Sequence, residues 1–223
     1  MLAFDGAIRL GYRYVETDVH ATRDGVAVTF HDDTLDRLAG RSERIGELSY
    51  AALRQVRVGD QPIPRLEDVL GTWPEVRVEV DVKHDAAVPA LLLALDRTRA
   101  HDRVCAGSFS DRRVKRIRRE TGGRLCTWMG SRGIACLRLA SLGLPMPDLT
   151  AGCTQVPVRY GPLRLVDRRF IETAHRRGVA VHVLTINDRT EMERFLDAGV
   201  DGVLSDTPSL LKAVFVARGL WVS

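Results

Sequence analysis

From Val76 onward the chain repeats one pattern, a short run of β-branched and apolar residues followed by a helix-length run. The apolar runs begin near Val76, Val104, Leu125, Thr154, Val179 and Val203, and the helical stretches fall at 86–100, 111–121, 133–142, 166–177, 188–198 and 210–217. Gly178 and Gly199 close two of them. A strand that returns to the same sheet edge in parallel needs a crossover of this length, so the repeat specifies a parallel α/β sheet. An earlier run at 14–19 brings the parallel strands to seven, one short of the closed (β/α)8 barrel. A helical pattern at 1–10, not a strand, precedes it. The expected fold is therefore a TIM-type α/β barrel lacking its first strand.

The run at 14–19 carries the chemistry. Glu16 and Asp18 lie two residues apart between Tyr14, Val15 and Val19, and the period of a strand puts both carboxylates on one face. Arg23-Asp24-Gly25 is a turn signal, and Val26 to Phe30 is a second strand ending on His31. The connection is too short for a crossover, so the two strands form a hairpin that brings His31 level with the carboxylates. Two anionic oxygen donors beside an imidazole suit a hard cation with an acid/base group next to it. In the strand from Val76 to Lys83, Val78, Val80 and Val82 alternate with Glu79, Asp81 and Lys83. Between them, 34–74 is a polar connection with helical patterns at 48–56, capped by Ser49, and at 65–70. An excursion this long, taken here as an insertion over 32–75 of one barrel domain spanning 1–223, is expected to be a lid or a substrate-facing segment.

Composition narrows the rest. A net charge of +4 is compatible with an anionic substrate, and the basic stretches lack the aromatic interleaving of a nucleic-acid surface. Arg112 to Arg119 is expected to be a solvated helix face. No apolar run is long enough for a transmembrane helix. The four cysteines, Cys105, Cys126, Cys136 and Cys153, form no C-x-x-C pair. They are expected to be core thiols, which favours a reducing, cytoplasmic compartment. His20, His84, His101, His175 and His182 have no partner at a telling spacing.

Together the motifs resemble the glycerophosphodiester phosphodiesterase family over Met1 to about Leu211. Glu16 and Asp18, then Thr22, Asp24 and Gly25, then His31 and Asp32 are similar to its E-x-D, T-x-D-G and H-D signature. Ile63-Pro64-Arg65-Leu66-Glu67 resembles its I-P-x-L-E segment, Val80-Asp81-Val82-Lys83 its I-E-x-K strand and Ser108-Phe109 its S-F pair. Thr185-Ile186-Asn187, Gly199-Val200-Asp201-Gly202 and Asp206-Thr207-Pro208 resemble its C-terminal strands. The resemblance implies that Glu16, Asp18 and Asp81 hold a divalent cation, Ca2+ or Mg2+, and that His31 is one of two catalytic histidines. It also implies that Lys83 contacts the phosphate, and Phe109 is a candidate to line the pocket. The implied reaction is metal-dependent hydrolysis of a small-molecule glycerophosphodiester to glycerol phosphate and an alcohol. Two departures stand out. The family opens with H-R-G and P-E-N-T segments that would lie upstream of Met1, so the chain is expected to be a truncated, impaired enzyme. Leu184 stands where the family often has a Trp lining the substrate pocket. The rival reading is a non-catalytic barrel that binds phosphorylated ligands or a protein partner. Head group and oligomeric state are not legible.

Overall fold

Valine at every second position from Val76 to Val82 offers no helical face and fits a strand buried on one side. In the computed structural model, which describes residues 1–145, 147 and 151–221, this stretch is a strand with Val78, Val80 and Val82 at 2% exposure or less. The strands are β1 (Tyr14–Ala21), β2 (Ala27–Thr29), β3 (Arg57–Val58), β4 (Gln61–Pro62), β5 (Arg77–Val82), β6 (Val104–Gly107), β7 (Cys126–Thr127), β8 (Cys153–Pro157), β9 (Arg159–Tyr160), β10 (Leu163–Arg164), β11 (Ala180–Leu184) and β12 (Gly202–Val203). The helices are α1 (Leu2–Arg9), α2 (Asp36–Ala39), α3 (Tyr50–Leu53), α4 (Leu66–Thr72), α5 (Ala87–Thr98), α6 (Asp111–Glu120), α7 (Ser131–Ala140), α8 (Arg168–His175), α9 (Arg189–Ala198) and α10 (Pro208–Ala217). Each of the seven expected parallel-strand positions carries a strand, and a helix follows each from β5 on.

The chain divides into two compact units, Met1–Ser108 with Arg112–Cys126, and Phe109–Asp111 with Thr127–Ser223. In the first, β1 is antiparallel to β2 and parallel to β5, and β5 is parallel to β6. Its core joins Val19, Val78, Val80 and Val82 to Leu91, Leu95 and Ile117, all at 2% exposure or less. Each such side chain contributes roughly 1.5–3 kcal/mol by leaving water. In the second unit β11 lies between β8 and β12 and is parallel to both. Among the described residues the strand ladders do not close into a ring.

The hairpin turn is built by its own side chains. The Thr22 hydroxyl donates to Asp24 at 2.6 Å and accepts from the Val26 N–H at 3.0 Å. Gly25 takes the positive φ of 81° that reverses the chain. Asp24 also accepts from the Tyr50 N–H at 2.9 Å, tying the turn to the insertion. The insertion is a packed excursion. Leu35, Ile45, Leu53, Val56 and Ile63 form a small core with Val28 and Phe30 of the hairpin. Ser49 caps α3 through the Ala52 N–H at 3.3 Å. The four-residue α2 and the β3–β4 hairpin were not anticipated, because elements this short carry no periodicity. The same holds for the β9–β10 hairpin, which turns at Gly161-Pro162. The core-thiol expectation holds only for Cys153; Cys105 and Cys136 are half-buried and Cys126 is exposed. Cys126 sits on a strand of two residues, too short to be covered along its length. Among the described residues no helix is long and apolar enough to cross a membrane.

Candidate active site

The period of two along β1 and β5 gives each strand a row of polar side chains on one face: Glu16, Asp18 and His20 on one, Glu79 and Asp81 on the other, with Lys83 just beyond. The register aligns them, with Glu16 opposite Glu79 and Asp18 opposite Asp81. Neighbouring strands are about 4.8 Å apart, so the register places these acidic residues on adjacent strands. Lys83 answers part of that charge. Its Nζ lies 2.5 Å from Asp18 Oδ1 and 2.8 Å from Asp81 Oδ2. Burial works against the ammonium, but Asp81 and Asp18 outweigh it and raise its pKa, so Lys83 stays charged. Burial also raises the Asp81 carboxyl, and Lys83 offsets this only in part.

Glu16 bears the uncompensated charge. Its carboxyl is pushed up to about 8, first by burial and then by Asp18 and Asp81, with Lys83 pulling weakly the other way. More than a third of its surface remains open, so Glu16 sits in a crowded concavity that water still enters. That donor set fits a hard divalent cation. It is all carboxylate oxygen, and one member holds a proton near neutral pH for want of positive charge. As arranged here the three carboxylates do not bring three oxygens within 4.8 Å of one another; Lys83 is drawn between Asp18 and Asp81 instead.

His31 follows β2. The ladder pairs Val19 with Thr29, and the Phe30 N–H donates to the Asp18 carbonyl at 3.1 Å, which sets His31 one residue beyond Asp18. Its ring contacts Asp32, with Nδ1 to Oδ1 at 2.7 Å. Arg37 grips the same carboxylate through Nε at 2.7 Å and Nη2 at 3.0 Å. The hydrogen bonds from Arg37 and His31 hold Asp32 down to about 2. An ionised carboxylate only accepts, so His31 Nδ1 carries the proton and Nε2 is left for chemistry. The side chain is 67% exposed.

The structure brings Glu16, Asp18, Asp81 and Lys83 together on two paired strands, with His31 at the end of the adjoining arm. Phe109 lies in the second unit, edge-on to Trp128 with ring centroids 5.3 Å apart. Leu184, in that unit too, lines a cavity of about 310 Å3 with Arg159, Arg164 and Arg194.

Sequence reasoning missed two groups. Arg113 is not part of a solvated face. It donates to the Val82 carbonyl at 2.8 Å and to the Ser108 hydroxyl at 2.6 Å, contacts Asp85 at 3.1 Å, and its charge reaches Asp81. Helical periodicity assigned it to solvent because a βα junction turns the first residues of α6 back toward the strand ends. His20 and His84 do have a partner, namely each other, with ring centroids 5.1 Å apart. Burial lowers the pKa of both. The Ala21 N–H donates to His84 Nε2 at 3.3 Å, and His20 Nε2 meets the His31 carbonyl at 3.3 Å, bracing the residue that carries the candidate acid/base ring. Only the β1–β5 pairing brings these rings together.

The sequence model of the glycerophosphoryl diester phosphodiesterase family matches residues 1–210. A Mycobacterium tuberculosis protein named probable glycerophosphodiester phosphodiesterase 2 is 37% identical over 99% of this chain and 86% of its own length. Among solved structures, a glycerophosphodiester phosphodiesterase from Agrobacterium tumefaciens superposes with a TM-score of 0.76 at 19% identity, covering 95% of this chain and 90% of that one. An Oleispira antarctica phosphodiesterase, solved with its product sn-glycerol-3-phosphate, reaches 0.77 at 19% identity, covering 96% and 89%. The structural likeness shows the shared α/β barrel fold.

Proposed function

This chain belongs to the glycerophosphoryl diester phosphodiesterase family, and from that premise we propose that it hydrolyses a glycerophosphodiester at the Glu16, Asp18 and Asp81 cluster with a divalent cation. The observation that carries the reading is the β1–β5 register, which sets Asp18 opposite Asp81 two residues beyond Glu16, with Lys83 drawn to both aspartates. A phosphodiester is anionic and repels nucleophiles, so cleavage needs positive charge at the phosphoryl oxygens and a proton for the leaving alkoxide. Glu16, Asp18 and Asp81 would hold Ca2+ or Mg2+, which neutralises phosphoryl charge when bound. Lys83, tethered to Asp18 and Asp81, directs its remaining N–H donor to a non-bridging oxygen. His31 Nε2 transfers the proton to or from the reacting oxygen, and Asp32, held by Arg37, steadies the imidazolium that results.

The proposal treats 1–223 as one barrel domain with 32–75 as an insertion, and the substrate as a small molecule. His31 is assigned here as a proton-transfer group. The test is release of glycerol phosphate from a panel of glycerophosphodiesters with and without Ca2+ or Mg2+. His31→Ala is expected to lose about a hundredfold or more. Turnover unchanged by that substitution, or by chelating the cation, overturns the mechanism.

A further inference from the structure

We propose that Cys105 and Cys126 are a modification site, a dithiol that a hydroperoxide converts to an intramolecular disulfide. Neither is in a disulfide here, and their sulfurs lie 3.0 Å apart. That is closer than ordinary van der Waals packing, about 3.5 Å between carbons, and about 1 Å from a covalent S–S bond. The backbone needs no rearrangement. β6 and β7 are hydrogen-bonded neighbours, and a strand spacing of about 4.8 Å falls within the Cα range of disulfides, roughly 4.4–6.8 Å. Reagent reaches the pair, because Cys126 is exposed and Cys105 half-buried. The pair also lies beside the candidate site. Cys105 is opposite Glu79, and Glu79 is opposite Glu16, so the dithiol extends the row of polar residues that ends at the carboxylates.

Exposure assigns the order of reaction. The Cys126 thiolate attacks one peroxide oxygen, the O–O bond breaks, and the other oxygen leaves as an alcohol, or as water from hydrogen peroxide. Cys126 is then a sulfenic acid. The Cys105 sulfur displaces its hydroxyl, the S–S bond forms, and the Cys105 proton leaves with the hydroxide as water. Two thiols and one hydroperoxide yield one disulfide, one alcohol and one water.

The test treats the full chain with one equivalent of hydrogen peroxide and reads intact mass, titratable thiols after unfolding, and the peptide map without reductant. The expected product has lost two hydrogens, keeps half of its four thiols, yields one peptide joining Cys105 to Cys126, and reverts with dithiothreitol. Cys105→Ser is expected to stop at oxygen added to Cys126. Phenylarsine oxide, which bridges close thiols, is expected to protect Cys105 and Cys126 together from alkylation in the unsubstituted chain, a readout that needs no variant. The proposal is overturned if all four thiols survive peroxide, if Cys126 gains oxygen without cross-linking, or if the linked peptide joins any other pair.

Discussion

Replacing Glu16 by Gln removes the carboxyl that burial and its neighbours Asp18 and Asp81 push up to about 8. A group with that pKa is about 9% ionised near pH 7, so a cation that takes its oxygen displaces about 0.9 proton on binding. The apparent affinity then rises about 50-fold between about pH 6 and about pH 8, and levels off above. Water reaches more than a third of Glu16, so solvent screening trims that figure toward tenfold. Calorimetric titration of Mg2+ or Ca2+ in two buffers of different ionisation heat counts the proton directly. The unsubstituted chain is expected to release between about half and one proton per cation near neutrality. Glu16→Gln is expected to bind more weakly, to release almost none, and to lose the rise with pH. Equal proton release and equal affinity in the two proteins would refute the assignment of Glu16 as a ligand and the charge count behind it.

The same carboxyl sets a pH dependence of stability. Its folded pKa lies above its unfolded value of 4.5, so the folded chain binds more protons and stability falls as pH rises from about 4.5 to about 8. Thermal unfolding without added cation is expected to show that fall, and Glu16→Gln to flatten it. Lys83→Met leaves Asp18 and Asp81 without their shared counter-charge; a loss of about 2–3 kcal/mol in urea unfolding is expected, partly restored by added divalent cation. A midpoint unchanged by the substitution would place the ion pair outside the stability of the unit. Asp32→Asn removes the anion that His31 Nδ1 donates to, and kcat, read by steady-state turnover, is expected to fall about 10–100-fold. Gly25→Ala forces a Cβ onto a φ of 81° where nothing lies within 4 Å, so its cost, about 1–2 kcal/mol by denaturant titration, is backbone strain alone.

Much of the site was legible because its signals are local. The T-x-D-G turn closes through Thr22 and Asp24 within a few residues, and strand period alone places Glu16 with Asp18. Arg113 was misassigned and the His20–His84 stack overlooked for the opposite reason. Arg113 reaches a carbonyl 31 residues away, and the Ala21 N–H reaches a ring 63 residues away. No spacing rule spans such distances.

Residue order along the chain was enough to specify alternating strands and helices, the hairpin that presents His31, and which carboxyls share a strand face. These depend on backbone sterics and on apolar periods that recur every few residues. Strand pairing settled the rest: that Asp18 lies against Asp81 rather than against some other residue, that Lys83 bridges them, and that Glu16 is left holding a proton. Charge balance in a crowded concavity is a property of neighbours, and those neighbours exist only once β1 and β5 lie side by side.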